Sequence, residues 1–409
     1  MTNTLLKTYA ELLINNGLNI KEGQKLRLIF PTDAIELARE IVIAAYKAGA
    51  VDVKTVLNDD VMADSRILYG NEQAISTFGS YDVEYAKTLV AEGYHNLVIS
   101  SYSAPNEEID VDKLTKYQLV RAKAMIEVSR LYSANAVKWC IAPYISKDWA
   151  TLMYPELEID KAEEKLLQDL MKITRVSDEN PIESWNKHNS ELKYRLKVLN
   201  EYKFDKVLFN DGETSLEVGL AKEAIWCGGN ETYKDGDEFM PNIPTEEVFT
   251  MPHKDRINGH AKIRKPFVLH GKEITGLELD FVDGKVVKFK ADNYEDLLKG
   301  MLDTDEGASR LGEVALVDKT SPINAFPKAF FNTLIDENAA SHIALGNAYP
   351  DTTKASLDDK DEVGCNESAI HEDIMIGSET MTVIGVTSNG DEVYIMRNGS
   401  FTDEFRLNK

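Results

Sequence analysis

The sequence predicts two domains of different fold class. Residues 1–200 are expected to form an α/β domain with a mostly parallel sheet, and residues 201–409 an α+β domain rich in antiparallel strands that carries a metal site. Three observations support this division. A chain of 409 residues exceeds what one core usually supports. Short apolar runs alternate with helical patterns up to about residue 150, whereas short strands separated by tight-turn signals follow residue 200.

The first domain contains strand and helix patterns in alternation. Thr32 and Asp33 are expected to start the first of these helices, because their side chains can accept from free N–H groups of the first turn. Strands separated by helices of this length favour a parallel sheet covered on both faces. The strands are predicted at 24–30, 51–57, 95–101 and 137–142, and the helices at 34–48, 81–92 and 112–132.

The first domain lacks the signature of a nucleotide site. The sequence contains neither a G-x-G-x-x-G nor a G-x-x-x-x-G-K-[ST] pattern. We therefore expect this domain to serve as a scaffold and as a wall of the substrate site.

The second domain shows short strands and hairpins. Asp283-Gly284 and Asn389-Gly390 are dipeptides that supply the positive φ angles of tight hairpin turns. Strands are predicted at 206–209, 214–220, 267–269 and 276–290.

Charge and cysteine content exclude several classes of function. The chain has 69 acidic and 46 basic residues and a net charge of −23, which repels phosphate backbones and anionic lipid, so neither nucleic acid nor membrane is an expected partner. Its three cysteines form no C-x-x-C pair, which disfavours a disulfide framework or a thiolate zinc site. The amphipathic N-terminus does not resemble a signal peptide, and we expect a cytoplasmic protein.

Two histidines of the second domain lie in patterns that suit metal binding. His342 lies in a predicted helix over 330–346 that Gly346 would end, and Tyr349 follows in the loop before Pro350. His371 and Asp373 are two residues apart, so a strand would point both side chains to one face. A histidine beside a carboxylate forms half of a metal site.

Three glutamates are further candidates. Glu246 and Glu247 precede strand-like residues, and in an extended chain only one of them can point inward. Glu313 heads an apolar run, where a carboxylate is costly to bury unless a positive charge meets it. Taken by themselves, these residues also fit hydrogen-bonded structural histidines and solvated or ion-paired acids.

Four segments of the second domain together resemble the thermophilic metallo-aminopeptidase family, of the aminopeptidase T and aminopeptidase S type. The order and spacing of these segments also fit the family. Similar short motifs at 16–20 and 23–26 extend the resemblance over nearly the whole chain. The segments are N-I-P-T-E-E-V-F-T at 242–250, L-G-E-V-A-L at 311–316 with T-S-P-I at 320–323, F-N-T-L-I-D-E-N-A-A-S-H-I-A-L-G at 331–346 with A-Y-P at 348–350, and I-H-E-D at 370–373 with M-I-G-S at 375–378.

The resemblance implies a ligand set and an activity. Tyr349 would be an active-site tyrosine, and Glu246 would lie outside the ligand set as a candidate for proton transfer. Five ligands suit two divalent metal ions that share a carboxylate, with zinc, cobalt or manganese compatible. The implied function is removal of N-terminal residues from short peptides by a homodimer whose contacts include the first domain. The implied ligands are Glu247, Glu313, His342, His371 and Asp373.

The residues by themselves leave two other functions open. Glu247 and Glu313 could be the paired carboxylates of a metal-independent hydrolase such as a glycosidase. The chain could also be a noncatalytic peptide-binding protein that uses its α/β domain, although that hypothesis leaves the two histidines unexplained. Sensitivity to a chelator separates the first alternative from a metalloenzyme.

Overall fold

A computed structural model of the protein describes residues 2–104 and 106–407. The chain forms two compact units, each with its own core. The first unit comprises Met1–Trp185 together with Asn230–Ile243, and the second comprises Asn186–Gly229 together with Pro244–Lys409. Residues 230–243 thus return to the first unit, although they lie beyond the boundary predicted at residue 200.

The first unit contains a four-stranded sheet in which every neighbouring pair is parallel. The strand order is β2-β1-β3-β4, which confirms the predicted parallel sheet. Leu26 and Leu28 of the first strand are buried in the interior. The four strands are β1 (Lys25–Pro31), β2 (Asp52–Asn58), β3 (Tyr94–Ser100) and β4 (Trp139–Pro143).

The helices before residue 180 confirm the predicted alternation of helix and strand. Asp110 and Ser146 cap two of them by accepting from backbone N–H groups of the first turn. No helix among the described residues is long and apolar enough to cross a membrane. The helices are α1 (Thr2–Leu12), α2 (Ile35–Lys47), α3 (Asp60–Tyr69), α4 (Glu72–Ser76), α5 (Ser80–Ala91), α6 (Val111–Ser133), α7 (Lys147–Met153) and α8 (Ile159–Ile173).

The start of α2 differs from the prediction. Thr32 and Asp33 lie in a 3-10 turn, Thr32–Ala34, and no side chain caps this turn. The following residue, Ile35, begins the α-helix. The tighter turn redirects the chain directly after β1, so the polar side chains mark the position of the turn without capping it.

The remainder of the chain is dominated by antiparallel pairs. Helix α9 (Pro181–Tyr202) carries the chain from the first unit into the second. The strands that follow are β5 (Phe204–Asn210), β6 (Ser215–Leu220), β7 (Glu231–Thr232), β8 (Glu238–Phe239), β9 (Glu247–Thr250), β10 (Pro252–Lys262), β11 (Phe267–Leu269), β12 (Lys272–Ile274), β13 (Glu278–Val282), β14 (Lys285–Lys290), β15 (Leu311–Val317), β16 (His342–Gly346), β17 (His371–Met375), β18 (Thr382–Thr387), β19 (Glu392–Arg397) and β20 (Ser400–Phe401).

Two sheets organise the second unit. An eight-stranded sheet has the order β14-β13-β10-β6-β5-β18-β19-β20, and a four-stranded sheet has the order β17-β16-β15-β9. Buried apolar residues of both sheets, among them Phe209, Leu279, Leu316 and Ile343, belong to one hydrophobic core. The strands β11 and β12 form a separate hairpin, and the hairpin β7-β8 lies in the first unit.

The predicted hairpins are confirmed. Asp283 and Gly284 have φ angles of 48° and 81° between β13 and β14. A Cβ atom on Gly284 would lie 1.7 Å from the carbonyl oxygen of Lys254, so this position requires glycine for space as well as for conformation. Gly390, with φ of 87°, serves the turn between β18 and β19.

The predicted helix over residues 330–346 is wrong. The segment forms a short helix, α11 (Thr333–Asp336), then a 3-10 turn, Glu337–Ala339, and then strand β16. Every residue of β16 is buried, and β15 and β17 flank it. A short, fully buried apolar run has no polar face, so its pattern cannot distinguish strand from helix, and pairing with neighbouring strands decides. The other short helices of the second unit are α10 (Glu295–Leu302) and α12 (Lys360–Val363).

A buried lysine holds the 230–243 segment within the first unit. The Lys138 side chain is 0% exposed, and its Nζ lies 2.9 Å from Asp237 Oδ2. It also donates to the carbonyl oxygen of Asn19 at 2.9 Å and to Gln24 Oε1 at 3.3 Å. The hydrogen bond from Lys138 lowers the pKa of Asp237. Asp237 therefore supplies the counter-charge that makes burial of the ammonium tolerable.

We predict that Asp237→Ala destabilises the protein, because the buried Lys138 ammonium would keep only neutral partners. The expected loss is about 2 kcal/mol in the free energy of unfolding, measured by denaturant titration. Asp303→Ala is the matched control, since its partner Lys299 lies in an exposed pair, and no measurable loss is expected. Equal stability of the two variants would contradict the role of Asp237.

Candidate metal centre

The five predicted ligands share one face of the four-stranded sheet. Directly paired residues in antiparallel strands point to the same face. Strand pairing therefore places the three carboxylates and two imidazoles together, although they come from four different strands. The pairs on this face are Glu247 with Val317, Phe249 and His342 with Ala315, Glu313 and Asp373 with Ala344, His371 with Gly346, and Met375 with His342.

The opposite face of the same strands is apolar. Val248, Val314, Ile343 and Ile374 alternate with the ligand positions and are fully buried in the core of the second unit. On the ligand face, the residue between Glu313 and Asp373 is Ala344, whose methyl side chain occupies little of the space between the two carboxylates.

The ligand atoms form two groups that share Glu313. Glu247, Glu313 and His342 form one group, and Glu313, His371 and Asp373 form the other, with the atoms of each group within 4.8 Å of one another. Ligand atoms lie about 2.0–2.2 Å from a zinc-sized ion, so neighbouring ligands of one ion are roughly 3–3.5 Å apart. The separations in both groups are close to that spacing. From His342 Nε2 they are 3.1 Å to Glu247 Oε2 and 3.4 Å to Glu313 Oε1, and from His371 Nε2 they are 3.5 Å to Asp373 Oδ1 and 3.9 Å to Glu313 Oε2.

Two atoms of the first group are buried without a hydrogen-bond partner among the described residues. They are Glu247 Oε2 and His342 Nε2, which face each other. A buried polar atom that lacks a partner costs about 1–3 kcal/mol. A cation between these atoms would satisfy both, so the chemistry of the donor set fits a divalent metal ion.

Backbone carbonyl groups fix the orientation of both imidazoles. His342 Nδ1 lies 3.1 Å from the carbonyl oxygen of Ala340, and His371 Nδ1 lies 2.7 Å from that of Asn347. A carbonyl oxygen only accepts, so each Nδ1–H donates, and in the neutral ring each Nε2 directs its lone pair toward the carboxylates. This arrangement is typical of metal-binding histidines.

The electrostatics of the cluster reflect closely spaced carboxylates in a buried site. Burial and the charges of Glu247 and Asp373 raise the pKa of Glu313 to about 7. Burial opposes protonation of His371, but Asp373 and Glu313 outweigh it and raise its pKa to about 9. The pKa of His342 is likewise well above its ordinary value, because Glu247 and Glu313 overcome the effect of burial. Without a bound cation, the carboxylates therefore favour a proton on each Nε2, the same atom that would otherwise bind a metal ion.

Glu337 is a functional candidate that the sequence analysis missed. Burial raises its pKa well above the ordinary value, and the charges of Glu247, Asp373 and Glu313 raise it further. Its carboxyl group therefore interacts electrostatically with the carboxylates of the two ligand groups. The erroneous helix hid this relation, since residues five apart on a helix point in different directions. The actual turn and strand bring Glu337 and His342 to one site.

Tyr349 lies at the edge of the cluster. Its side chain is 43% exposed, and its ring centroid is 4.7 Å from that of His371. Partial burial and the charges of Glu313 and Asp373 raise the pKa of its hydroxyl group. The hydroxyl group therefore stays protonated and can donate a hydrogen bond.

Glu246 points away from the two ligand groups. It is buried, and its Oε2 lies 3.5 Å from His188 Nε2. The backbone N–H of Glu246 donates to Asn338 Oδ1 at 2.6 Å. Adjacent residues of an extended chain face opposite ways, so Glu247 alone of the two joins the cluster.

This donor set defines a metalloenzyme class, since carboxylates and imidazoles on a sheet face are the ligands of hydrolytic divalent-metal sites. The sequence matches the family described as Thermophilic metalloprotease (M29) over residues 2–401. It is 36% identical to Aminopeptidase 2 of Geobacillus stearothermophilus over 407 residues, covering 98% of each chain. It is also 36% identical to Aminopeptidase T of Thermus aquaticus over 397 residues, covering 96% of this chain and 97% of the relative.

A solved structure of a related protein has the same fold. The solved structure titled wild-type AmpT from Thermus thermophilus superposes with a TM-score of 0.91 at 34% identity, covering 98% of this chain and 100% of that chain. The chain belongs to the thermophilic metalloprotease (M29) family, and it is a hydrolase of the metallo-aminopeptidase type. The noncatalytic peptide-binding and glycosidase alternatives are therefore set aside.

We predict that Glu313→Gln stabilises the protein when metal is removed by a chelator. Its folded-state pKa of about 7 exceeds the ordinary 4.5, so the fold loses stability progressively as the pH rises from 4.5 to about 7, and the loss is complete above that pH. Melting temperatures should rise in the variant at pH 8. The difference should disappear as the pH falls toward 4.5, where wild-type Glu313 is also neutral.

Glu392→Gln, at an exposed position of β19, is the control and should show no such pH-dependent gain. A lower melting temperature for Glu313→Gln at pH 8 in the chelated protein would contradict the assignment of Glu313 as a destabilising buried charge.

Proposed function

We propose that this chain removes N-terminal residues from short peptides with the help of two divalent metal ions. The observation that carries the proposal is the shared position of Glu313. Its Oε1 faces His342 and its Oε2 faces His371, so one carboxylate serves both ligand groups. A carboxylate with its two oxygens directed at two groups is suited to bridge two ions. Glu247 and His342 complete one site, and His371 and Asp373 complete the other.

The charge of the cluster supports two ions over one. Glu247, Glu313, Glu337 and Asp373 contribute four carboxylates to one buried region. When all four have lost their protons, these carboxylates balance two divalent cations, whereas a single ion would leave an excess of negative charge in a medium of low dielectric constant. We therefore include Glu337 among the groups that face the ions. Zinc, cobalt and manganese all accept this oxygen and nitrogen donor set.

The chemistry of peptide hydrolysis suits this set of residues. When bound, a pair of divalent ions supplies an activated water at neutral pH and polarises the scissile carbonyl group. Tyr349, with its hydroxyl group kept protonated, donates a hydrogen bond to the oxygen on which negative charge develops. The names of the related aminopeptidases support a free N-terminal residue as the part of the substrate that is released.

The proposal also covers assembly, which the two-domain plan and the family resemblance support, and location. We propose that the chain acts as a homodimer in the cytoplasm, with the first unit taking part in the dimer contacts. Light scattering and cell fractionation test these two points independently of catalysis.

Metal content and peptide hydrolysis should be gained and lost together. Purified protein should contain about two divalent ions per chain and should release free amino acids from dipeptides and aminoacyl p-nitroanilides. Chelation should abolish hydrolysis, and zinc, cobalt or manganese should restore it. His342→Ala should lose metal and activity but keep the circular dichroism spectrum of the wild type. Hydrolysis by the chelated protein would overturn the proposal.

The second prediction concerns Tyr349→Phe. The variant should keep its metal and its KM, because the ring remains, while kcat should fall about 100-fold through loss of an oxyanion hydrogen bond. Steady-state kinetics on a leucine p-nitroanilide measure this effect. Tyr394→Phe, at a similarly exposed tyrosine of β19, should leave kcat unchanged. An unchanged kcat for Tyr349→Phe would remove Tyr349 from the mechanism.

A further inference from the structure

Asn338 lies between two of the carboxylate-bearing segments of the metal centre. It follows Glu337 in the 3-10 turn and is 0% exposed. Its carboxamide group reaches the backbone of Glu246, the residue directly before strand β9. A buried asparagine is costly unless its oxygen and both its N–H groups find partners, so its contacts determine its role.

The carboxamide group of Asn338 has three partners. Its Oδ1 accepts from the backbone N–H of Glu246 at 2.6 Å. Its Nδ2 donates to the carbonyl oxygen of Leu334 at 2.9 Å and to Glu337 Oε1 at 3.3 Å. The first contact fixes the chain one residue before Glu247, and the third holds the Glu337 carboxylate.

These partners allow only one orientation of the carboxamide group. Rotation by 180° would set the Asn338 amino group against the N–H of Glu246 and its oxygen against the Glu337 carboxylate. Both new contacts would be repulsive. The backbone carbonyl oxygen of Asn338 also accepts from Ser321 Oγ at 2.8 Å, which anchors the turn to the segment that follows β15. The residue is therefore held rigidly from both its side chain and its backbone.

We propose that Asn338 is a positioning residue that orients the Glu337 carboxylate and the Glu247 strand toward the metal ions. The inference rests on the proposed function, because it concerns the same ions. Asn338 itself lies outside the two ligand groups. Its carboxamide group contacts the Glu337 carboxylate directly and holds Glu247 through the backbone of the preceding residue. It therefore sets the spacing between two carboxylates on separate segments. Residues of this kind typically change metal affinity about 10-fold to 100-fold when they are replaced.

The test compares Asn338→Ala and Asn338→Leu with wild type. Both variants lose the hydrogen bonds to Glu246 and Glu337, but leucine keeps most of the side-chain volume, so the pair separates a cavity from lost hydrogen bonding. Zinc affinity, measured by competition with a chromogenic chelator, should fall about 10-fold to 100-fold in both. At saturating zinc, kcat for a leucine p-nitroanilide should fall while KM changes little.

Asn200→Ala is the matched control. The Asn200 carboxamide group also makes hydrogen bonds to the backbone of a distant residue. It accepts from Trp226 N at 2.9 Å and donates to the Trp226 carbonyl oxygen at 3.0 Å. Asn200 belongs to neither ligand group. Its variant should lose thermal stability in the chelated state and keep wild-type zinc affinity. If the Asn338 variants lose only stability, as this control does, then Asn338 is structural and the inference is overturned.

The two proposals fail in distinguishable ways. Wild-type protein that binds no zinc, cobalt or manganese would contradict the proposed function before any variant is made. Wild-type protein that binds metal tightly, together with Asn338 variants of the same affinity and kcat, would contradict only the role of Asn338.

Discussion

Mutual repulsion among buried carboxylates is the constraint on which the second unit depends. Glu247, Glu313 and Asp373 lie on one sheet face with little access to water. Such an arrangement is unfavourable for a chain with no bound cation, since burial, together with the charges of Glu247 and Asp373, raises the pKa of Glu313. The apolar face of the same strands contributes the hydrophobic stabilisation that offsets this cost. These strands carry the candidate ligands on one face and core residues on the other. The same strands therefore determine both the stability of the second unit and the position of its candidate metal site.

The parallel sheet of the first unit could be predicted from sequence because its signals are local. Each of β1 to β4 lies between helical patterns, and the strand limits agree with the prediction within a few residues. The hairpin at Asp283-Gly284 was predictable for a similar reason, since positive φ angles restrict the residue types that fit. The return of residues 230–243 to the first unit was not, because it depends on the distant contact between Lys138 and Asp237.

The site was predictable where a two-residue period or a family motif marked it. His371 and Asp373 follow the strand period, which the structure shows in β17. His342 was recognised by its motif even though its secondary structure was wrong. Glu337 and Asn338 were missed because their relation to the cluster arises from a turn of three residues that no periodic pattern marks. Sequence patterns therefore indicated the proposed ligands more readily than the residues proposed to orient them.

The division of β15, β16 and β17 into a polar and an apolar face also limits how the gene can change. Deleting or inserting one residue within any of these strands would exchange its two faces, turning a candidate ligand into the core and a core residue toward the candidate metal site. Such a change would damage folding and catalysis in a single step. Length variation among relatives is consequently expected in the connections, such as residues 318–332 and 350–369, and not within the strands. An alignment gap inside one of these strands would mark a chain that has abandoned this chemistry.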